Sequence, residues 1–497
     1  MTIQTIFINN FEFLIPEFFL IIFILLLLLY GVFFNIYNNK ILLITKNINK
    51  IIMYFLLLLL LLILNIETKT ITLLNGILFI SHFTQNIKII LILITFICIG
   101  IQQDYIIKQK IFSYEINILI LISLLGLMLL ISSNNLIILY LSIELQSLSF
   151  YILAASQRKS ILSIESSLKY FILGSIASGF ILFGSSIIYG ITGSINFSNI
   201  FLLISNLNLI ESNNVLFGLI YGYIFILVGL LFKIGSVPFH FWLPDVYEGS
   251  PNNITSLFAL LPKISFFGIL IRLYFDIFKD LSFFFFSFFH VVALLSMFIG
   301  TLSTLQQKKI KRLLAFSSIT HVGFILIGFT SSNINNIQYI LFYVLIYIIT
   351  NINLWTLYQS LIINNKPIKY LVQLSNIFKI NKIIAFIIII NVFSLAGIPP
   401  LAGFFSKFFI FLSALKNNYF SLIFFSILIS IISSVYYLKI IKIIFFDKPQ
   451  SKNILLAPIN KFNSYVLIIN TEIILLFFLF PDIFLTKLHK YYLYFLI

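Results

Sequence analysis

Long, uninterrupted runs of apolar residues dominate the chain. The segments Phe19–Leu29 and Phe55–Leu64 contain no charged residue and no alternation of polar with apolar positions. A surface helix of a soluble protein would carry polar residues on its solvent-facing side in every turn, and a membrane β-strand would alternate with period two. The runs therefore predict helices of about 20 residues that cross a hydrocarbon core of about 30 Å.

Charged, Asn-rich and Pro- or Gly-containing segments divide these runs into about fourteen predicted membrane spans. Their approximate cores, numbered in chain order as spans 1 to 14, are 12–35, 50–65, 86–102, 116–131, 136–155, 166–191, 216–240, 253–275, 283–306, 313–330, 337–361, 383–414, 418–441 and 464–485. The sequence thus predicts an all-α, polytopic membrane protein. Composition agrees, because only 9% of the residues are charged, against about 25% in a soluble domain.

The lysines and arginines test this span count. Of 31 such residues, twenty lie at the loops that follow spans 1, 3, 5, 9, 11 and 13, and five lie on the opposite side. A missed or extra span would remove this asymmetry. The positive-inside rule then places the basic loops in the cytoplasm or matrix and both termini outside. The net charge of +16 therefore belongs to loops between spans and does not indicate nucleic-acid binding.

Six of the 31 lysines and arginines remain within the predicted spans, and among the acids Glu144 falls in the middle of a span, where a charge costs about 2.5–3.5 kcal/mol even on an insertion scale. Together these residues are Lys88, Glu144, Lys169, Lys233, Lys263, Arg272 and Lys407. Lys88 and Arg272 lie near span ends, so we expect their long side chains to reach the interface. For Lys169, also near a span end, this interpretation and a functional role are both open. The other three lysines and the glutamate lie deeper and are candidates for ion or proton movement.

Proline interrupts two of the spans. Span 7 contains Lys233-Ile234-Gly235-Ser236-Val237-Pro238, and span 12 contains Gly397-Ile398-Pro399-Pro400. The prolines free the carbonyls of Ile234, Leu395 and Ala396. Open backbone at membrane depth persists only where it is buried in protein or lines a water-filled path. The breaks lie five spans apart. Because five is an odd number, two copies of a five-span unit must cross the membrane in opposite senses. The sequence therefore predicts two inverted five-helix repeats with broken helices 7 and 12.

The repeats predict a domain organisation in four parts. They are an N-terminal three-helix segment over 1–112, a first repeat of spans 4–8 over 113–280, a second repeat of spans 9–13 over 281–445, and C-terminal span 14 over 446–497. The single Cys98 lies in an apolar run, which excludes disulfides and cysteine-based zinc or iron–sulfur ligation within the chain. No pair of histidines or carboxylates has metal-ligand spacing, so we expect no metal site.

Five sequence blocks carry a family resemblance. They read LYLSIELQSLSFYILAAS from Leu139, ESSLKYFILGSIASGFILFG from Glu165, LFKIGSVPFHFWLPDVYEGSPNNITSLFALLPK from Leu231, KRLLAFSSITHVGFILIG from Lys311 and FSLAGIPPLAGFFSKFFIF from Phe393. In order and spacing they resemble the antiporter-like membrane-arm subunits of respiratory complex I, specifically the NADH dehydrogenase subunit 2 type. The resemblance covers spans 5 to 12; the first three spans and the last two are similar in hydropathy only.

The resemblance implies a proton-translocating subunit of NADH:ubiquinone reductase that carries no redox centre itself. NADH, FMN, iron–sulfur clusters and ubiquinone are expected in other subunits. The implied partners are other membrane-arm subunits, including neighbouring antiporter-like subunits, and membrane lipids. The implied location is the mitochondrial inner membrane, which the heavy use of Phe, Ile and Asn, typical of an AT-rich organelle genome, also favours. A stand-alone cation/proton antiporter of the same fold is the alternative.

The functional residues of the resembling family carry over one at a time. The family's glutamate of the fifth span falls on Glu144, and the lysine of its broken seventh span falls on Lys233. The lysine of the Pro-Lys pair in the eighth span falls on Lys263, and the lysine after the second break falls on Lys407. The Lys-Tyr-Phe lysine of the sixth span falls on Lys169, whose role stays open.

These positions suit proton transfer. Burial disfavours the charged form of a lysine, and a carboxylate within about 4–6 Å favours it again, so Glu144 and Lys233 are expected to form a load-and-release pair. Lys263 would pass the proton along the midplane and Lys407 would gate its release. Because Lys407 follows its break, we expect it to lack the freed carbonyls that favour a cation. His321, about two turns into span 10, either relays protons or packs between helices.

The charge asymmetry generates a topology prediction. Tags at both termini are expected to face the intermembrane side, and the loop over 306–312 is expected to face the matrix, because the basic loops stay on the side of synthesis. Protease protection of tagged protein in intact organelles measures both. Termini found on opposite faces would contradict an even number of spans.

Overall fold

The computed structural model describes residues 12–37, 41–67, 70–109, 114–206, 213–363, 366–447, 458–479, 481 and 486. Helices form most of these ranges, and they comprise α1 (Ile15–Tyr37), α2 (Ile41–Asn65), α3 (His82–Gln109), α4 (Glu115–Ser132), α5 (Leu136–Ala154), α6 (Ile161–Thr192), α7 (Phe197–Ser205), α8 (Asn213–Ile234), α9 (Trp242–Gly249), α10 (Asn252–Arg272), α11 (Ser282–Leu305), α12 (Ile310–Leu326), α13 (Asn336–Ser360), α14 (Ile377–Ile380), α15 (Lys382–Ala396), α16 (Ala402–Lys416), α17 (Phe420–Phe445) and α18 (Lys461–Leu476). Two short antiparallel hairpins pair β1 (Ile71–Leu73) with β2 (Leu78–Ile80) and β3 (Ile362–Ile363) with β4 (Lys366–Pro367).

Two compact units divide the chain. The first contains the chain up to Lys233 together with Leu261–Phe278, and the second contains Ile234–Leu260 and the chain from Lys279 onward to its described end. The division therefore falls beside the first break and within α10. The predicted repeat boundaries stay a prediction.

Within the described residues, twelve helical segments are long and apolar enough to cross a membrane. They correspond to predicted spans 1 to 11 and 13, which confirms the all-α polytopic class. Predicted span 12 is divided into α15 and α16, and predicted span 14 begins with α18, of 16 residues, before the chain leaves the described ranges. For these two spans the count of fourteen stays a prediction.

Loops of the first unit meet at one end of its helices. The Asn134 side-chain amide donates to the Gly76 carbonyl over 3.0 Å. The Phe197 N–H donates to the Asn134 carbonyl over 3.0 Å, and the Leu136 N–H donates to the Ile195 carbonyl over 3.1 Å. These loops follow predicted spans 2, 4 and 6, so alternate loops lie on one side, as successive membrane crossings require.

The second unit shows the same alternation for the other set of loops. Arg312 pairs with Asp245 over 2.9 Å, which joins the loops after predicted spans 7 and 9. The Leu371 N–H donates to the Lys308 carbonyl over 3.0 Å, which adds the loop after span 11. Which side faces the matrix stays a prediction, and both chain termini lie outside the described residues.

Both interrupted spans end their first half-helix at a glycine. Helix α8 ends at Ile234 and α15 ends at Ala396, and the following Gly235 and Gly397 each have φ of +85°. This left-handed conformation is readily adopted only by glycine. The predicted breaks in spans 7 and 12 are therefore confirmed, and they share the same stop signal.

The expectation that Arg272 reaches the membrane interface is wrong. Its side chain lies inside the first unit, 3% exposed, and Nη1 donates to the carbonyls of Ile131 over 2.7 Å and Ser133 over 2.8 Å. These carbonyls lie at the C-terminal end of α4, where the last carbonyls have no partner within the helix and a cation is favoured. Arg272 therefore caps α4.

The expectation that Lys88 reaches the interface is also wrong. Lys88 is 4% exposed, and its ammonium donates to Oε1 of Glu17, itself 5% exposed, over 2.6 Å. The pair joins α1 to α3. Its carboxylate partner lies in the first turn of α1, which the sequence pattern gave no reason to connect with Lys88.

This pair generates a stability prediction. Lys88→Met should destabilise the protein by about 3–5 kcal/mol, because Glu17 is left as a buried, unpaired acid. Combining it with Glu17→Leu should restore most of that loss, since an apolar pair of similar volume commonly replaces a buried ion pair at little cost. Thermal unfolding in detergent measures both variants. A double variant as unstable as the single one would contradict the explanation.

Candidate functional site

Lys233 lies in the last turn of α8 and is buried. Its ammonium donates to the hydroxyl of Tyr151 over 3.2 Å and lies 5.7 Å from the centre of the Tyr151 ring. Tyr151 lies on α5 about two turns after Glu144. The structure therefore places Lys233 against the helix that carries Glu144, within the first unit.

Glu144 is half-buried on α5, the helix that also carries Ser147 and Tyr151. The Ser147 hydroxyl lies within donating distance of Oε2 of Glu144, at 3.1 Å, and of the Glu144 carbonyl, at 3.2 Å. Glu144, Ser147 and Tyr151 are spaced by three and four residues, so they share one face of the helix. The sequence reasoning missed Ser147 and Tyr151, although this spacing from Glu144 is a signal that could have found them.

Lys263 follows Pro262 within α10 and is buried. It belongs to the same unit as Glu144 and Lys233. Lys263 is therefore buried, as its place deep in predicted span 8 implied. Its part in proton transfer stays a prediction.

Lys407 is buried on α16, and its side chain turns back to the break. The ammonium donates to the carbonyl of Ala396, the last residue of α15, over 2.8 Å. The expectation that Lys407 lacks a freed carbonyl is thus wrong. Gly397 leaves space for the Lys407 side chain, since a Cβ at position 397 would lie only 3.0 Å from Cδ of Lys407.

His321 is buried on α12 between two tyrosines. Its Nδ1 lies 2.8 Å from the Tyr343 hydroxyl, and its Nε2 lies 3.0 Å from the Tyr437 hydroxyl. His321 and Lys407 line one small cavity, with Tyr347 also in its wall. The cavity has about the volume that one water molecule needs. The structure therefore brings together the two predicted residues of the second unit.

Lys169 lies on an exposed face of α6. Its ammonium pairs with Glu165, one turn earlier, over 2.8 Å, and the two side chains are 43% and 53% exposed. This position differs from the buried surroundings of the other predicted lysines. The role of Lys169 stays open.

The two sites share a chemical capability. Each combines a buried ammonium with neutral groups that both accept and donate protons, hydroxyls at Lys233 and an imidazole with hydroxyls near Lys407. Among the described residues, no group of three or more His, Cys, Asp or Glu lies close enough to hold a metal ion. The arrangement is suited to holding a proton and passing it on.

Comparison with known proteins identifies the family. Residues 133–433 match the family described as NADH:quinone oxidoreductase/Mrp antiporter, transmembrane. The chain is 41% identical over 405 residues to NADH-ubiquinone oxidoreductase chain 2 of Marchantia polymorpha, covering 82% of each chain. It is 35% identical over 439 residues to NADH-quinone oxidoreductase subunit N of Paramagnetospirillum magneticum, covering 88% of this chain and 89% of the relative.

A solved structure agrees with these relatives. A chain of respiratory complex I from Thermus thermophilus with bound aureothin matches with a TM-score of 0.78 at 25% identity, covering 95% of this chain and 99% of that one. All six predicted site residues lie within the matched segment 133–433. The resemblance found in the sequence is confirmed, and the chain belongs to the NADH:quinone oxidoreductase/Mrp antiporter family of membrane proteins.

Proposed function

We propose that this chain is a proton-translocating membrane-arm subunit of respiratory complex I, where it couples electron transfer from NADH to ubiquinone to proton pumping. One observation carries the proposal. Two buried lysines, Lys233 and Lys407, each lie beside a helix break; Lys233 contacts the Tyr151 hydroxyl, and Lys407 lines a small cavity together with His321. The relatives are named as oxidoreductase subunits and are matched over most of their length, which supports complex I as the assembly that contains this chain.

The first unit provides the loading step. A buried ammonium is costly, and the negative charge of Glu144 lowers that cost for Lys233. A change in the hydration or separation of the two residues alters the balance between charged and neutral lysine. Lys233 then takes up or releases a proton, and we assign its onward transfer to Lys263.

The second unit provides the release step. The carbonyl of Ala396 stabilises the charged form of Lys407, because a charge-assisted hydrogen bond is stronger than a neutral one. Loss of this contact would favour release of the proton into the cavity that Lys407 shares with His321. His321 can accept it on one ring nitrogen and donate from the other, to the flanking tyrosines.

The redox chemistry lies elsewhere in the proposed assembly. NADH, FMN, iron–sulfur clusters and ubiquinone are assigned to other subunits, and this chain contributes proton transfer only. We place it in the mitochondrial inner membrane. The Marchantia relative named for ubiquinone and the composition typical of an AT-rich organelle genome support that location.

A stand-alone cation/proton antiporter is the second candidate, because the family description includes the Mrp antiporters. The two relatives described above favour complex I. Purification distinguishes the candidates. A complex I subunit should co-migrate with redox subunits in an assembly far larger than the 57.4 kDa chain, and an antiporter should exchange cations for protons without them.

The release step generates a prediction for Lys407. Lys407→Ala should leave assembly largely intact and lower NADH-driven proton pumping at least about tenfold, since positioned proton-transfer groups contribute about 10²–10⁴ in rate. Coupled quinone reduction should slow with it, because electron flow is tied to the blocked pump. Lys416→Ala, at the exposed end of the same helix, is the matched control. Normal pumping per NADH by the assembled Lys407 variant would remove this residue from the pathway.

The loading step predicts that Glu144 and Lys233 act as a unit. Glu144→Gln and Lys233→Ala should each strongly reduce pumping, and the double variant should cost little more than either, because coupled partners are non-additive. Glu144→Asp, which keeps the charge at shorter reach, should retain partial activity. Glu115→Gln, exposed in the first turn of α4, is the control. Pumping in proteoliposomes is the measurement, and losses that simply multiply would show independent action.

A further inference from the structure

We propose that two tyrosines make His321 a directional proton relay, in which the Tyr343 hydroxyl takes the proton up and the Tyr437 hydroxyl carries it away. The inference rests on the proposed function and deepens its release step, since it names the groups through which the proton enters and leaves the histidine. Neither the sequence pattern nor the family match pointed to either tyrosine.

Short contacts join the three side chains across three helices. Nδ1 of His321, on α12, lies 2.8 Å from the Tyr343 hydroxyl on α13. Nε2 lies 3.0 Å from the Tyr437 hydroxyl on α17. All three side chains are buried and belong to the second unit. Each ring nitrogen is therefore within hydrogen-bond distance of one tyrosine hydroxyl.

The two tyrosines differ in their access to Lys407. Tyr343 forms part of the wall of the small cavity that Lys407 also lines, whereas Tyr437 is not among the described residues that form this wall. The Lys407 ammonium lies 5.1 Å from the centre of the Phe324 ring, and Phe324 follows His321 by three residues on the same side of α12. Because both ring nitrogens already face tyrosine hydroxyls, a proton released by Lys407 reaches the ring through Tyr343.

The cavity suits the water molecule that this transfer needs, since it has about the volume of one water and a polar wall. The Ser406 hydroxyl donates to the Gly403 carbonyl over 2.8 Å, and the Thr350 hydroxyl donates to the Tyr347 carbonyl over 2.9 Å. The protons of these two hydroxyls are thus in use, and their oxygens keep lone pairs for a water. A water can be held by both hydroxyls while it takes a proton from Lys407.

The histidine imposes an order on the hydroxyl protons. A neutral imidazole has one N–H group and one free lone pair, so one tyrosine donates to the ring and the other accepts from it. In the starting arrangement Tyr343 donates to Nδ1, and Nε2–H donates to Tyr437. The Tyr437 hydroxyl is then left to donate its own proton onward. The donors therefore point from the cavity toward α17.

The transfer balances at every atom. An N–H bond of Lys407 breaks as its proton moves to the water, which gives one of its protons to the Tyr343 oxygen. The original Tyr343 proton moves to Nδ1 of His321, and the Nε2 proton moves to the Tyr437 oxygen. The original Tyr437 proton leaves to water on the far side of the ring.

The products contain no buried imidazolium. Lys407 is left as a neutral amine, His321 as its other neutral tautomer, and both hydroxyls are restored. Because burial disfavours a charged side chain, a transfer that keeps the ring neutral avoids that cost. The starting arrangement must be restored before a second proton can follow, so the unit passes one proton at a time.

Tyr339 provides a matched control on α13. It precedes Tyr343 by one turn, and its ring stacks on Phe409 with centroids 5.7 Å apart and planes at 9°. It is not among the described residues that form the cavity wall. Tyr339→Phe therefore removes a tyrosine hydroxyl from the same helix without touching the relay.

The experiment uses the whole complex reconstituted in proteoliposomes, after its assembly has been checked. Tyr343→Phe and Tyr437→Phe each keep the ring and remove only the hydroxyl. Each should lower NADH-driven pumping at least about tenfold, since positioned proton-transfer groups contribute about 10²–10⁴ in rate, and Tyr339→Phe should stay within about twofold of the unaltered complex. Normal pumping by either relay variant overturns the relay.

Two further readouts separate a relay from packing. Members of one serial path are non-additive, so the variant with both tyrosines changed should pump little less than either single variant. Losses that multiply would show two independent packing defects and overturn the relay. The ratio of pumping rates in H₂O and D₂O should rise in both single variants, because proton transfer becomes rate-limiting, and stay unchanged in Tyr339→Phe. Should one single variant fail to assemble, the other and its isotope effect still decide the relay.

Lys407→Ala, measured in parallel, separates this inference from the proposed function. A block in Lys407→Ala together with normal pumping in the two tyrosine variants overturns the relay and leaves the proposed function standing. Normal pumping by Lys407→Ala itself overturns the release step and the relay with it. A block in Lys407→Ala and in both tyrosine variants, with Tyr339→Phe normal and the double variant non-additive, supports the relay.

Discussion

Hydrocarbon supplies no hydrogen bonds, so each charge and each open carbonyl inside this protein needs a partner from the chain itself. Two cations meet that need with strong partners. Arg272 holds two carbonyls at the end of α4, and Lys88 holds the carboxylate of Glu17. Arginine stays charged at any ordinary pH, and a lysine in direct contact with a carboxylate is stabilised in its charged form. Both cations therefore position helices: Lys88 joins α1 to α3, and Arg272 caps α4.

The two lysines beside the breaks have weaker partners. Lys233 contacts a neutral hydroxyl of Tyr151, and Lys407 contacts the single carbonyl of Ala396. A neutral partner stabilises an ammonium less than a carboxylate does. The proton exchange proposed for Lys233 and Lys407 relies on this difference in partners. The four side chains differ in their partners and not in their exposure, since all are buried.

Sequence pattern alone predicted the helical class, most of the spans, both breaks and the deep charges, because each depends on local composition. It could not predict partners across helices. Lys88 and Glu17 are 71 residues apart in the chain, and no periodicity links them. Distance from a span end also says nothing about which helices cover a side chain, which is why the expected exposure of Lys88 was wrong. The Tyr151 hydroxyl was missed for the same reason, since its partner Lys233 lies on another helix. Its spacing from Glu144 was the available clue.

The segment after the first break is held by ion pairs to residues at the beginning of α12. Asp245 and Glu248 lie on α9, and Arg312 pairs with both while Lys309 pairs with Glu248. An isolated exposed ion pair contributes only about 0–1 kcal/mol, but a network in which one arginine serves two carboxylates is more favourable. Arg312 lies in the first turn of α12, the helix that carries His321. Within the second unit, these three ion pairs hold α9 against the start of α12. A shift of either helix relative to the other would break them.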